Sequence, residues 1–263
     1  MNLVLFRKTF KNNWLLLLIF FGVLTMYTTI MIAMFDPEDM EALNAMVEMF
    51  PEELLKAMGF SDVTDLTSYV ASWLYGLLMF AFPMVYAIIL GYRLVAKTVD
   101  NGSMAYLLST PNSRIKIIVT KGLYALLSIF VLFLAIFLLG MTYSEIIHPG
   151  LLDIRNYLKI NLTTMFVNMV VVMISFFFSS FFNDPRYALG FGTGLPITFL
   201  LLNMLSGTSS DLEFLKNFTI YGYDPVKIVN GQSTLWLNLL FISLILTLFL
   251  GSVVSFNRKQ LPI

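Results

Sequence analysis

Six stretches of this chain run for more than 22 residues without a single Asp, Glu, Lys, Arg or His: 12–35, 66–92, 122–144, 160–183, 187–210 and 228–257. A helix rising 1.5 Å per residue crosses the hydrocarbon core of a bilayer in about 20 residues. A buried helix of a soluble domain rarely reaches that length without a charge. Inside hydrocarbon the backbone must satisfy its own polar groups, which leaves helices or closed barrels, and these runs lack the alternation of a barrel. The expected fold is therefore all-α: a polytopic integral membrane protein with six transmembrane helices. The spans fall at about 14–34, 68–92, 122–143, 160–182, 187–206 and 233–256, in a single transmembrane domain over 1–263. Composition agrees, with 58% hydrophobic and 12% charged residues, against about 25% charged in soluble domains.

The formal net charge is zero, yet its distribution is lopsided. Six spans put both termini on one side, together with the 93–121 and 184–186 loops. That side carries Arg7, Lys8, Lys11, Arg93, Lys97, Arg114, Lys116, Lys121, Arg186, Arg258 and Lys259, against Asp100 and Asp184 alone. The other side holds fourteen acids, nine of them within 36–65, and five basic residues. Short loops rich in Lys and Arg stay inside, so both termini are expected in the cytoplasm and the chain in the cell membrane.

Local features refine this layout. Residues 3–13 mix apolar and basic side chains, and read either as an amphipathic interfacial helix or as a plain basic flank that orients the first span. The first apolar stretch is too long for a secretory signal and lacks a small-residue cleavage site, so an anchored span is expected. In the acidic outer loop, 36–39 looks like a helix start, and Pro51 with Glu52 and Glu53 opens a short helix that Gly59 would end. The segment 207–231 is amphipathic and reads as a re-entrant or interfacial cap, with a turn at 221–225. Pro83 and Pro196 sit centrally in the second and fifth spans and are candidate hinges, the latter near Gly190, Gly192 and Gly194. Asn168, Asn203, Ser175, Ser179, Ser180 and Thr198 are expected to hydrogen-bond between helices or to line a cavity.

Exclusions come next. Without cysteine there are no disulfides and no thiolate metal sites. His148 is the only histidine and is expected at an outer surface. The absence of ionisable residues from the runs counts against proton-coupled carriers and intramembrane carboxyl proteases, whose working sites carry them. No Gly-x-x-x-x-Gly-Lys-[Ser/Thr] sequence is present, so the chain has no loop to cradle a nucleotide. No catalytic residue, metal or bound cofactor is expected on it.

The most informative stretch is the basic loop 93–121. Ser103 can cap a short helix through about Ser109, and Pro111 disfavours helical geometry at Thr110. That helix carries Met104, Tyr106, Leu107 and Leu108, and two readings fit: docking into a partner's groove, or packing beneath the bundle.

The loop resembles the first cytosolic loop of the permease subunits of ABC-2-type transporters, the type V exporter architecture. That loop runs basic residue, apolar pair, Ala, acidic cluster, Gly-[Ser/Thr], apolar helix, Leu-Leu-Ser-x-Pro-x-Ser-Arg. Arg93, Ala96, Asp100, Gly102, Ser103, Leu107, Leu108, Ser109, Pro111, Ser113 and Arg114 fit it. The likeness extends over the chain through the N-terminal segment, the outer loop with Pro51-Glu52, and Tyr223-Asp224-Pro225. One departure stands out: Thr98 and Val99 occupy positions where members carry further acids, leaving Asp100 alone.

The resemblance implies one half of an ATP-driven exporter. Two permease copies would form the path, and two separate ABC ATPase subunits, holding ATP and Mg²⁺, would bind beneath them. Partners are thus the ATPase, a second copy of the chain and the bilayer, with no nucleic acid. Coupling to the ATPase is implied for Arg93, Asp100, Gly102, Ser103, Met104, Leu107, Leu108, Pro111 and Arg114, and the second cytosolic loop contributes Asp184 and Arg186. The charge-free, Phe- and Met-rich spans suggest a hydrophobic or amphipathic substrate such as a peptide, drug or lipid-like molecule. The rival reading is a non-transporting membrane sensor or assembly factor of the same layout.

Overall fold

The computed structural model describes residues 2–37, 49–58, 63–109 and 112–259. Those residues form helices, turns and no strand. Residues 38 and 39 of the expected helix start, the stop at Gly59 and the break at Pro111 lie outside them.

Six helices are long and apolar enough to cross a membrane. The first, α1 (Leu3–Met34), is unbroken over 32 residues, so residues 3–13 are its opening turns and not a separate helix. At 1.5 Å per residue it is about 48 Å long, well beyond a hydrocarbon core of about 30 Å. After α2 (Glu52–Ala57), the second crossing is a stack: α3 (Leu66–Tyr69), a π-helical segment (Val70–Leu78), α4 (Met79–Leu94) and α5 (Ala96–Asp100). Asp65 starts the stack by accepting from the Ser68 amide at 2.6 Å, while Ser68 Oγ accepts in return from the Asp65 amide at 2.9 Å. A short α6 (Ser103–Ser109) leads to α7 (Arg114–Ile147) and α8 (Ile154–Phe181), then α9 (Pro185–Thr208). A 3-10 helix (Ser210–Phe218), α10 (Pro225–Val229) and α11 (Leu235–Arg258) complete the order.

Helix α8 is the hub. It packs against α4, α7, α9 and α11, and 72% of its apolar window is buried, against 17% for α1 and for α9. The outer helices leave Trp14, Ile19, Phe191, Leu201, Leu240 and Leu250 exposed, as lipid-facing surfaces do. Close approach to the hub depends on glycine. A Cβ at Gly91 would stand 2.7 Å from Ser175 Cβ, and one at Gly192 would stand 3.2 Å from Ser175 Cα. Ser175 of α8 is therefore gripped between α4 and α9, and its hydroxyl donates to the Ile88 carbonyl at 3.0 Å.

The two prolines sit inside α4 and α9. Pro83 has no amide hydrogen for the Met79 carbonyl. That carbonyl accepts instead from Asn168 Nδ2 of α8, at 3.4 Å. Of the other polar candidates, Ser180 bonds within its own helix, to the Phe176 carbonyl, and Thr198 is exposed.

Charge separates the two ends of the bundle. At the acidic end His148 is half-buried, with Nε2 3.0 Å from the Ile32 carbonyl and its ring edge-on to Phe35. It fastens α7 to α1, which corrects the expectation of a surface residue. At the same end the Tyr221–Tyr223 turn dips into the bundle: Tyr221 is fully buried, both rings meet Phe80, and Tyr223 shares a 2.9 Å hydrogen bond with Thr164. The expected cap is thus a plug seated on α4 and α8. The basic end gathers the beginning of α1, residues 95–109, the start of α7, the α8–α9 junction and the end of α11.

Candidate functional site

The basic end is where the sequence pattern and the structure meet. Helix α4 ends at Leu94, and Val95 turns aside (φ −124°, ψ −68°) before α5 resumes. This break frees the Leu94 carbonyl, which accepts from Lys121 Nζ of α7 at 2.6 Å. The same ammonium donates to Thr98 Oγ1 at 3.0 Å. Lys121, counted in the sequence only as a loop cation, is thereby 3% exposed and rivets α7 to the broken end of the second crossing.

Gly102 adopts φ +71°, a left-handed conformation that glycine enters without a Cβ penalty. It reverses the chain into α6. The expected cap differs in detail: Asn101 Oδ1 accepts from both the amide and the hydroxyl of Ser103, at 3.1 and 2.6 Å. Asn101 is therefore the capping residue, and Ser103 is the first residue of the helix it caps.

Helix α6 lies with its apolar side against the bundle. Met104 is 2% exposed, and Leu107 and Leu108 pack on the same core. The expectation that Met104 offers itself to a partner is corrected, because burial against the bundle removes it from water more completely than an open groove would. Tyr106 points the other way and is 81% exposed.

The remaining residues of the pattern hold the frame. Ser113 caps α7 by accepting from the Lys116 amide at 3.3 Å. Arg114 Nη1 donates to the Lys259 carbonyl at 2.7 Å, joining the start of α7 to the end of α11. Lys259 in turn reaches the last turn of α8, donating to the Ser179 carbonyl at 3.4 Å and to that of Phe182. A cation at carbonyls freed by a helix end is favourable, although burial pulls the ammonium pKa down to about 8. Asp184 caps α9 by accepting from the Arg186 amide at 2.8 Å, and Arg186 is exposed. The foot of α9 packs on α5, so the two basic-end loops adjoin. Asp100 is exposed at the end of α5.

Between α1, the α4–α5 break, α6 and α7 lies a cavity of about 220 Å³. Lys8, Arg93, Lys97 and Lys121 line it, with Thr9, Asn12, Asn13, Thr98 and Asn101, and among the described residues no carboxylate does. The sequence does not announce it, because its cations are spread over more than a hundred positions.

Six apolar helices, α8 serving as the hub among them, define a multi-pass membrane protein whose basic end carries a short anchored helix. The profile of the family described as "ABC-2 family transporter protein" matches residues 6–261, and the chain belongs to that family. Comparison with curated proteins gives no match. The chain is accordingly a membrane permease of an ABC transporter, in a family whose members are transmembrane components and which implies association with an ABC ATPase.

Proposed function

We propose that this chain is the membrane half of an ATP-driven exporter, with its basic end in the cytosol beneath the cell membrane. A separate ATPase, carrying ATP and Mg²⁺, seats on α6 and the neighbouring foot of α9. The observation that carries this reading is the placement of α6. A helix anchored through Met104 moves with the bundle, while Tyr106 and the adjoining α5–α9 contact offer a rigid surface to a partner. Closure of two ATPases would then bias a two-state bundle through α6, with Pro83 and Pro196 as the points where α4 and α9 yield.

A second copy of the chain would complete the path. Its support is the exposed face of α9, where positions for a Cβ at Gly190 and Gly194 meet no atom within 4 Å. Small residues four apart let helix backbones approach closely. The substrate in this reading is hydrophobic or amphipathic, in keeping with spans that carry no buried acid.

The test is coexpression with a candidate ABC ATPase. A stable complex with ATPase activity is expected, and an ATPase that never copurifies would defeat the assignment. Because the chain has no cysteine, single reporters give its orientation cleanly. Cysteine at Thr208 should react with an impermeant thiol reagent outside intact cells, and cysteine at Asn101 should react only after lysis.

A further inference from the structure

We propose that the cavity at the basic end is an anion site that takes a phosphate group, supplied by an acidic phospholipid headgroup reaching in from the bilayer or by free phosphate.

The argument begins with unbalanced charge. Four cations face one space, and among the described residues none of them forms an ion pair. Lys121 is the decisive one. It is 97% removed from solvent, and its two hydrogen bonds go to neutral oxygens. An ammonium has three hydrogens to donate, which leaves one for the cavity it lines. Burying a charge without a counter-ion is costly unless an anion completes the set. Arg93 adds a planar fork suited to phosphate oxygens, and the low-dielectric walls concentrate the positive field in the space between.

Size and level fit the same ligand. About 220 Å³ is roughly seven times the ~30 Å³ that one water occupies in the liquid, enough for a phosphate with part of a headgroup or its hydration. Trp14, 47% exposed, follows directly on Asn12 and Asn13 of the cavity wall. Indole rings favour the membrane–water boundary, so the cavity stands at headgroup depth. Exposed Phe10 and Trp14 on α1 give acyl chains a surface beside it, and basic pockets between transmembrane helices are a recurrent way of holding acidic headgroups.

A bound phosphate would also join separate elements of the fold. Lys8 belongs to α1, Arg93 and Lys97 flank the break at Val95, Ser103 and Leu107 belong to α6, and Lys121 belongs to α7. The ligand would therefore set how firmly α6 is held. This consequence rests on the function proposed above, whereas binding itself does not.

The experiment uses the purified full chain in neutral detergent, without any ATPase, and reads thermal unfolding. Titrants are dihexanoyl phosphatidylglycerol, dihexanoyl phosphatidylcholine and inorganic phosphate. A saturable rise in Tm with phosphatidylglycerol and none with phosphatidylcholine or phosphate identifies a lipid headgroup. A rise with inorganic phosphate at similar concentrations identifies a free anion. In either case Lys8→Gln combined with Lys97→Gln should weaken the effect about tenfold. Lys121→Met should abolish it, while Lys116→Gln, outside the cavity, should leave it unchanged. The exposed double variant keeps the test decisive if Lys121→Met does not fold. An equal response from parent and double variant, or no response to either anion, would overturn the site. Because no ATPase is present, a negative result here leaves the transport assignment standing, and failure of ATPase capture leaves this site standing.

Discussion

The side chain of Asn168 stands in for a hydrogen that Pro83 cannot provide. Its Nδ2 lies 3.4 Å from the Met79 carbonyl, the group four residues before the proline, and 3.0 Å from the Thr164 carbonyl one turn back on α8. A buried carbonyl with no donor costs about 1–3 kcal/mol. Helix α4 thus carries a proline in its second turn without leaving that carbonyl bare, and the contact ties it to the hub.

Asn168→Leu should therefore destabilise the permease by about 1–3 kcal/mol, read as a lowered Tm in detergent. The sharper comparison is made in a Pro83→Ala background. Alanine restores the amide hydrogen inside the helix, so the same Asn168 substitution should cost clearly less there. Equal losses in both backgrounds would mean that Asn168 acts through packing alone.

The grip on Ser175 predicts a graded series. Gly91→Ala forces a Cβ to within 2.7 Å of the Ser175 side chain and should lower the yield of folded protein most. Gly192→Ala, at 3.2 Å from Ser175 Cα, should cost less, because a shift of a few tenths of an ångström relieves it. Gly190→Ala and Gly194→Ala meet open space and should leave the Tm of the isolated chain within about 2 °C of the parent.

How much of this was legible beforehand varies with the physics. The charge-free runs specified six helices because a bilayer punishes every buried charge, and that constraint is local in sequence. The gathering of Lys and Arg at one end was legible for the same reason. The π-helical segment at 70–78 was not, since its residues are as apolar as any neighbouring turn and the register change is set by packing. The inward face of α6 was also hidden. Two turns carrying Met104, Tyr106, Leu107 and Leu108 have apolar groups on both sides, and only the neighbouring helices decide which side is covered. Lys121 looked like a loop cation because nothing at position 121 tells of the carbonyl freed at Leu94, 27 residues earlier.

Lys259 gives a pH dependence with a defined sign. Burial lowers its pKa from the ordinary 10.5 to about 8, so between those values the unfolded chain binds the proton more tightly than the folded one. The associated stability is fully present above about pH 10.5 and is lost as the pH falls through 8. The Tm difference between the parent and Lys259→Met should shift in the parent's favour from pH 8 to pH 10, by on the order of a few °C. Below pH 7 it should be flat. A difference that stays constant up to pH 10 would show the ammonium to be solvated, and its contacts with Ser179 and Phe182 to be loose.

Helix α6 separates two kinds of failure, and that separation is the most direct probe of coupling. Met104 is part of the bundle's core, so Met104→Asp should lower the stability of the chain itself, by several kcal/mol for an unpaired buried charge. Loss of the ATPase in that variant says nothing about docking. Leu107→Asp and Leu108→Asp share this ambiguity in part, since both side chains also pack on the core. Tyr106 does not. With its ring 81% exposed, Tyr106→Asp should leave insertion and Tm unchanged, and aromatic residues at the centre of an interface often carry 2 kcal/mol or more of its energy. The expected result is a normally folded permease that retains an ABC ATPase at least about thirtyfold less tightly in pull-down titrations. An ATPase bound as firmly by Tyr106→Asp as by the parent would move the docking surface off α6 and onto the foot of α9, where Arg186→Ala becomes the decisive variant.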